Sequence, residues 1–240
     1  MRLLLCYFAF LFCGSLAFAH NKVVVVPLGG AEGERPSNVV TVAKSGGDFS
    51  DPVHALESII DANSQNPYVV LIAPGTYTVS ESLVMKPNVN LIGSGKEITT
   101  IVGNLAGETP EAGSLVISEF DGLIAEMTLA NLDAKAGAYK VGLYVNGING
   151  FELRDMSIRV SSARGDGYGI FNQNSSIRVN SSTIRVSGSA SDQYGIYSAA
   201  GVVRSRISNS SIFINDSGPG LEGSDHGIYH SSNIDSSQID

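Results

Sequence analysis

Apolar residues in this chain come in short bursts separated by glycine, serine, asparagine or proline. Val39–Val42, Tyr68–Ala73, Thr76–Val79, Leu83–Met85 and Asn90–Ile92 each read as a short strand bounded by turn formers. Val23–Val26 reads as another, followed by a polar linker. One segment has a different period. Asp51 is placed to cap a helix whose first residue is Pro52, where a missing N–H costs nothing. Val53, Leu56, Ile59 and Ile60 put an apolar stripe on that helix, which is predicted over about 52–62.

Many short strands fit either a sandwich or a solenoid until the period is measured. One hexapeptide recurs as Leu153-Arg-Asp-Met-Ser-Ile158, Val179-Asn-Ser-Ser-Thr-Ile184, Ile207-Ser-Asn-Ser-Ser-Ile212 and Ile234-Asp-Ser-Ser-Gln-Ile239. Ile124-Ala-Glu-Met-Thr-Leu129 is a weaker, earlier copy. A second motif runs in phase with it: Gly142-Leu-Tyr, Gly169-Ile-Phe, Gly195-Ile-Tyr and Gly227-Ile-Tyr. Two strand motifs repeating together about every 27 residues mean one coil of a solenoid per repeat. The expected fold is an all-β right-handed parallel β-helix with one N-terminal cap helix. Ile158, Ile184, Ile212 and Ile239 are expected to stack as one internal ladder, because polar residues alternate with the aliphatic ones around them. Serine and asparagine suit the corners, where they hydrogen-bond nearby backbone.

The first nineteen residues belong to a different class of signal. Arg2, the apolar run Leu3–Leu16 and the small-x-small triplet Ala17-Phe18-Ala19 read as an export signal with its cleavage site. The domain plan is therefore a signal at 1–19, a strand and linker at 20–38, and a β-helix at 39–240. That β-helix reads as incomplete at its C-terminal end, where no cap follows Ile239, and this predicts self-association through the open final coil. Cys6 and Cys13 both lie in the signal, so a mature secreted chain would hold together without disulfides. The expected location is secreted, periplasmic or cell-surface, with no membrane association after cleavage. A hydrophobic share of 43% excludes simple disorder, and a net charge of −8 argues against a general nucleic-acid binder.

Residues 40–104 resemble the opening of pectin methylesterases and other members of the pectin-lyase-like superfamily. The segments that carry the resemblance are Val40-Thr-Val-Ala-Lys-Ser-Gly-Gly-Asp-Phe49, Ile72-Ala-Pro-Gly-Thr-Tyr77 and Asn90-Leu-Ile-Gly-Ser-Gly95. It implies the β-helix fold, which non-catalytic proteins share. The catalytic aspartates, the oxyanion glutamines and the Arg-x-Trp pair of those esterases have no matching segments, and the chain contains no tryptophan. The usual esterase mechanism is therefore not expected.

Four constellations carry candidate chemistry. Asp166 and Asp192 each precede the repeat glycine by three residues, so successive coils bring them close enough for acid/base work. A plain turn, repeated because the coil repeats, is the simpler account of them. Tyr144, Phe171, Tyr197 and Tyr229 each follow that glycine by two and are expected to form an exposed ring ladder suited to sugar faces. Arg159 and Arg185 project from successive coils, where they can attract a uronate polymer or pair with nearby aspartates. Asp225, His226 and His230 are too sparse a set to predict a metal, and no cofactor is expected. The expected function is an exported, non-catalytic carbohydrate-binding or surface-interaction module with a polysaccharide partner. A divergent carbohydrate-active enzyme using Asp166 and Asp192, and a structural stalk, are the alternatives.

Overall fold

The computed structural model describes residues 38–132, 137–188, 192–199, 205–216, 225–230 and 238–239. The expected export signal at 1–19, the strand expected at Val23–Val26 and Ile234 of the repeat lie outside these residues. The chain begins with β1 (Asn38–Val42) and then α1 (Pro52–Ser58). Coiling follows in triplets of strands. The first two are β2 (Tyr68–Ile72), β3 (Gly75–Val79), β4 (Leu83–Val84), and β5 (Val89–Ile92), β6 (Thr99–Gly103), β7 (Ser114–Ser118). The next two are β8 (Gly122–Ala125), β9 (Thr128–Asn131), β10 (Tyr139–Asn146), and β11 (Phe151–Arg154), β12 (Ser157–Ser162), β13 (Asp166–Gln173). The last two are β14 (Ile177–Asn180), β15 (Thr183–Gly188), β16 (Gln193–Ser198), and β17 (Arg206–Ser208), β18 (Ser211–Asp216), β19 (His226–His230). Then β20 (Gln238–Ile239) opens another coil.

Every third strand pairs in parallel, which gives three faces. The first is eight strands in the order β1-β2-β5-β8-β11-β14-β17-β20; the second is β3-β6-β9-β12-β15-β18; the third is β4-β7-β10-β13-β16-β19. This is the parallel β-helix that the period predicts.

The core is built of ladders, one residue per coil. On the first face Val40, Val70, Leu91, Ile124, Leu153, Val179, Ile207 and Ile239 are in register. On the second, Tyr77, Ile101, Leu129, Ile158, Ile184 and Ile212 align. The sequence expectation therefore holds for Ile158, Ile184 and Ile212 and fails for Ile239, which pairs with Ile207 on the first face. The physical reason is loop length. Tyr229 precedes Ile239 by ten residues, as Tyr197 precedes Ile207, so the chain reaches the first face only at Ile239.

At the corner between the first and second faces, Glu126, Asp155, Ser181 and Asn209 all adopt left-handed backbone, with φ from 49° to 57°. Each is the third residue of the recurring hexapeptide. The fourth position turns inward as Met127, Met156 and Ser182, all buried. The hydroxyl of Ser182 accepts from Met156 N at 3.2 Å, and that of Ser210 accepts from Ser182 N at 3.1 Å. The same hydroxyls donate to local backbone, as expected, Ser182 to Asn180 O and Ser210 to Ser208 O, both at 2.8 Å. Corner serines thus also tie each coil to the one before.

The helix closes the N-terminal end of this stack. Asp51 accepts from Val53 N at 2.8 Å, and Pro52, Val53, Ala55 and Leu56 are buried. It is shorter than the expected 52–62, because Ile59 already has extended backbone (φ −82°, ψ 109°). Ile59 is buried, whereas Ile60 turns outward and is 91% exposed.

Candidate functional site

The third face carries the predicted carboxylates and rings, and its geometry depends on a glycine row. On either side of Gly169, Tyr168 joins an outer aromatic cluster while Ile170 lies in the core. A methyl group on Gly169 would lie 2.3 Å from Ile184 Cγ2 and 2.5 Å from the carbonyl oxygen of Gly195. Gly142 and Gly195 face the same obstruction from Ile158 and Ile212. Glycine is required there because the facing isoleucine ladder already fills the volume. The row also breaks the inward–outward alternation, so Tyr168 and Phe171 both point outward although three positions apart.

Two columns of rings result. Tyr144, Phe171, Tyr197 and Tyr229 are in register, with centroids 5.8, 4.8 and 5.2 Å apart. Tyr139, Tyr168, Tyr194 and His226 form a second stack at 6.0, 4.9 and 5.5 Å. Edge contacts knit the columns together, as between Tyr168 and Phe171 at 5.1 Å and Tyr194 and Tyr197 at 5.2 Å. The expectation of an outward ladder within stacking reach holds. Full exposure does not: Tyr144 is 5% and Phe171 8% exposed, while Tyr197 and Tyr229 are half-buried. Sequence reading missed the second column, although an aromatic or histidine directly precedes the glycine at Tyr168, Tyr194 and His226.

Asp166 and Asp192 sit on neighbouring coils, tied by a backbone bond from Gly167 N to Asp192 O at 3.0 Å. Each carboxylate accepts from the tyrosine two residues on: Tyr168 Oη to Asp166 at 3.1 Å, and Tyr194 Oη to Asp192 at 3.0 Å. Burial first, and the nearby Asp192 charge among lesser causes, raise the proton affinity of Asp166 above the usual carboxylate range. Burial likewise pushes the hydroxyls of Tyr168 and Tyr194 well above the ordinary phenol value, helped by the adjoining carboxylates. Asp166 is therefore the carboxylate disposed to hold a proton, and each Asp also fixes a ring.

Arg159 and Arg185 are in register and exposed, on the second face rather than beside Asp166 and Asp192. The expected partnership of these arginines with those aspartates is thus not formed. The two histidines also part company. His226 stacks in the outer ring column, whereas His230 aligns with buried Ser198 and Asn172 in an inner one. Burial lowers the proton affinity of His230. Among the described residues no group of three or more histidine, cysteine, aspartate or glutamate side chains is placed to hold a metal ion. Of the Asn-x-Ser asparagines, Asn174 and Asn209 occupy left-handed corners, while Asn180 and Asn215 lie within strands. No helix among the described residues is long and apolar enough to cross a membrane.

Parallel three-faced coiling, the cap helix and an outward carboxylate–aromatic face define a pectin-lyase-like β-helix protein. The chain belongs to the rhamnogalacturonase A/epimerase, pectate lyase-like family, whose profile matches residues 37–236. It is 32% identical over 136 residues to a probable pectinesterase 30 of Arabidopsis thaliana, an alignment covering 54% of this chain and 25% of that protein. The chain thus spans about a quarter of that relative's length. Among solved structures it is similar to the pectin methylesterase of Aspergillus niger, with a TM-score of 0.48 and 16% identity, covering 83% of this chain and 91% of that one. It is also similar to the carrot pectin methylesterase, with a TM-score of 0.45 and 15% identity, covering 88% and 90%.

Proposed function

We propose that this is an exported β-helix protein whose third face holds carbohydrate without cleaving it. The observation that carries this reading is the engagement of both carboxylates. Asp166 and Asp192 each accept from the tyrosine two residues on, so both carboxylates anchor rings. Around them the half-buried rings of Tyr139, Tyr197 and Tyr229 offer flat apolar area with wet hydroxyls, the combination that suits a pyranose face. The family supports a pectin-related polysaccharide as partner, and the N-terminal sequence supports export.

A divergent carbohydrate-active enzyme is the second reading, favoured by one fact: the raised proton affinity of Asp166 beside a second carboxylate is what a general acid needs. A polysaccharide array read for both retention and release of reducing ends separates the two. Retention without release, weakened in Tyr197→Ala/Tyr229→Ala, is the expected result. Release of reducing ends that disappears in Asp166→Asn would establish the enzyme instead.

A further inference from the structure

The second face has a different chemistry. Its outward middle column runs Thr78, Val102, Ala130, Arg159, Arg185, Phe213, one residue per coil. The chain has a net charge of −8, yet the six strands of this face contain one acidic residue, Asp216 at the far end of β18. Among the described residues neither the Arg159 nor the Arg185 guanidinium makes a hydrogen bond or an ion pair. Two like charges directly opposite on neighbouring strands, about 4.8 Å apart, repel one another, and among the described residues no carboxylate pairs with either. The Arg185 guanidinium lies 4.8 Å from the ring centre of Phe213, which is 49% exposed. Hydroxyl columns flank the arginines: Ser157, Thr183 and Ser211 on one side, and Ser161 and Ser187, continued by Asn215, on the other.

We propose that Arg159, Arg185 and Phe213 form a binding surface for a polyanionic polysaccharide, separate from the ring columns of the third face. A guanidinium fork takes a carboxylate or sulfate through two parallel hydrogen bonds. The exposed Phe213 ring adds a flat apolar contact for a sugar face, and the flanking side chains add polar contacts to ring hydroxyls. Bound anions would relieve the arginine–arginine repulsion, so binding and face stability are coupled. The flanking hydroxyl columns, which can hydrogen-bond sugar hydroxyls along a chain, favour a glycan over nucleic acid. This inference does not rest on the ring-face reading.

The test measures retention of the full chain on polygalacturonate, dextran sulfate, neutral dextran and single-stranded DNA at low and moderate salt. Salt-sensitive retention on an acidic glycan is expected, weakened about tenfold or more in Arg159→Ala/Arg185→Ala and less in Phe213→Ala. Preference for polygalacturonate would identify carboxylate as the group read, and preference for dextran sulfate would identify sulfate. Both keep the proposal. Unchanged retention by the double arginine variant would overturn it, as would equal retention on neutral dextran or tighter retention on DNA. Tyr197→Ala/Tyr229→Ala, run alongside, reports on the third face alone, so the two readings fail independently.

Discussion

The upper coils and the lower coils share one architecture and fill it differently. Down to Met156 the columns around Leu91, Ile101, Ile124, Met127, Leu129 and Leu153 are apolar and buried, with polar groups such as Asn131 and Lys140 buried apart from them. Below it, polar groups enter the same columns. Met156 gives way to Ser182 and Ser210, and the column that holds Ser118 and Val145 continues only with polar residues, Asn172, Ser198 and His230. Serine hydroxyls there hold backbone, as Ser175 does for Ile148 N at 3.1 Å. Some groups are left over: Asn172 Oδ1 and Ser198 Oγ are buried in register without a hydrogen-bond partner. Both halves bury an apolar core, and the lower half adds inward serine hydroxyls and most of the stacked rings.

The largest expected effect tests that division directly. Leu153→Ala should cost about 2–5 kcal/mol, because a closed apolar ladder cannot collapse around the gap. Ile212→Ala, in a half-buried lower rung, should cost clearly less. Equal losses in urea unfolding would end the comparison. Next is Gly169→Ala, where the new methyl meets Ile184 and the Gly195 backbone; a loss of about 1–3 kcal/mol is expected from overpacking. Ile184→Ala, which removes the clashing Cγ2, should cost less beside Gly169→Ala than alone, and additive losses would show that the backbone contact dominates. Ser182→Ala should cost about 1 kcal/mol by orphaning Met156 N, and thermal unfolding of the single variant measures it.

The smallest effects are those of pH. The folded-state affinity of Asp166 for its proton is raised, so its contribution to stability is present below the ordinary carboxylate value and lost as pH rises through the raised one. Asp166→Asn should therefore gain on the natural chain as pH rises toward neutral. His230 is shifted the other way: its contribution is present above the ordinary imidazole value and lost as pH falls through the depressed one. Melting temperatures of the natural chain, Asp166→Asn and His230→Gln across pH 4 to 8 check both signs (about the ordinary values of these groups). A flat difference with pH for either variant would contradict its assignment.

What the sequence reveals follows the same divide. The repeat is plainest in the lower coils, where Ser, Asn and Gly mark each corner at a nearly constant interval. The upper coils obey the same register, but a loop of ten residues between β6 and β7 obscures the period there. The hexapeptide at Ile234–Ile239 misled because its pattern matches while its distance from Tyr229 does not. Ring burial was hidden for a different reason. Alternation assumes an unbroken strand, and the glycine row resets it, so Tyr168 and Tyr194 cover neighbours expected to be bare. The Arg159–Arg185–Phe213 column needs register across coils, since Phe213 does not resemble the arginines it continues.

The double ring column also gives the protein its own optical reporter. Six of the nine tyrosines, Tyr139, Tyr144, Tyr168, Tyr194, Tyr197 and Tyr229, belong to it, and no tryptophan competes for the signal. Stacked phenols in fixed orientation couple their transitions, so near-ultraviolet circular dichroism reads mainly the coils from β10 downward. Far-ultraviolet dichroism reads all three faces at once. Melting followed at the two wavelengths in one sample shows whether the halves unfold together, since coincident curves are the mark of a single cooperative unit.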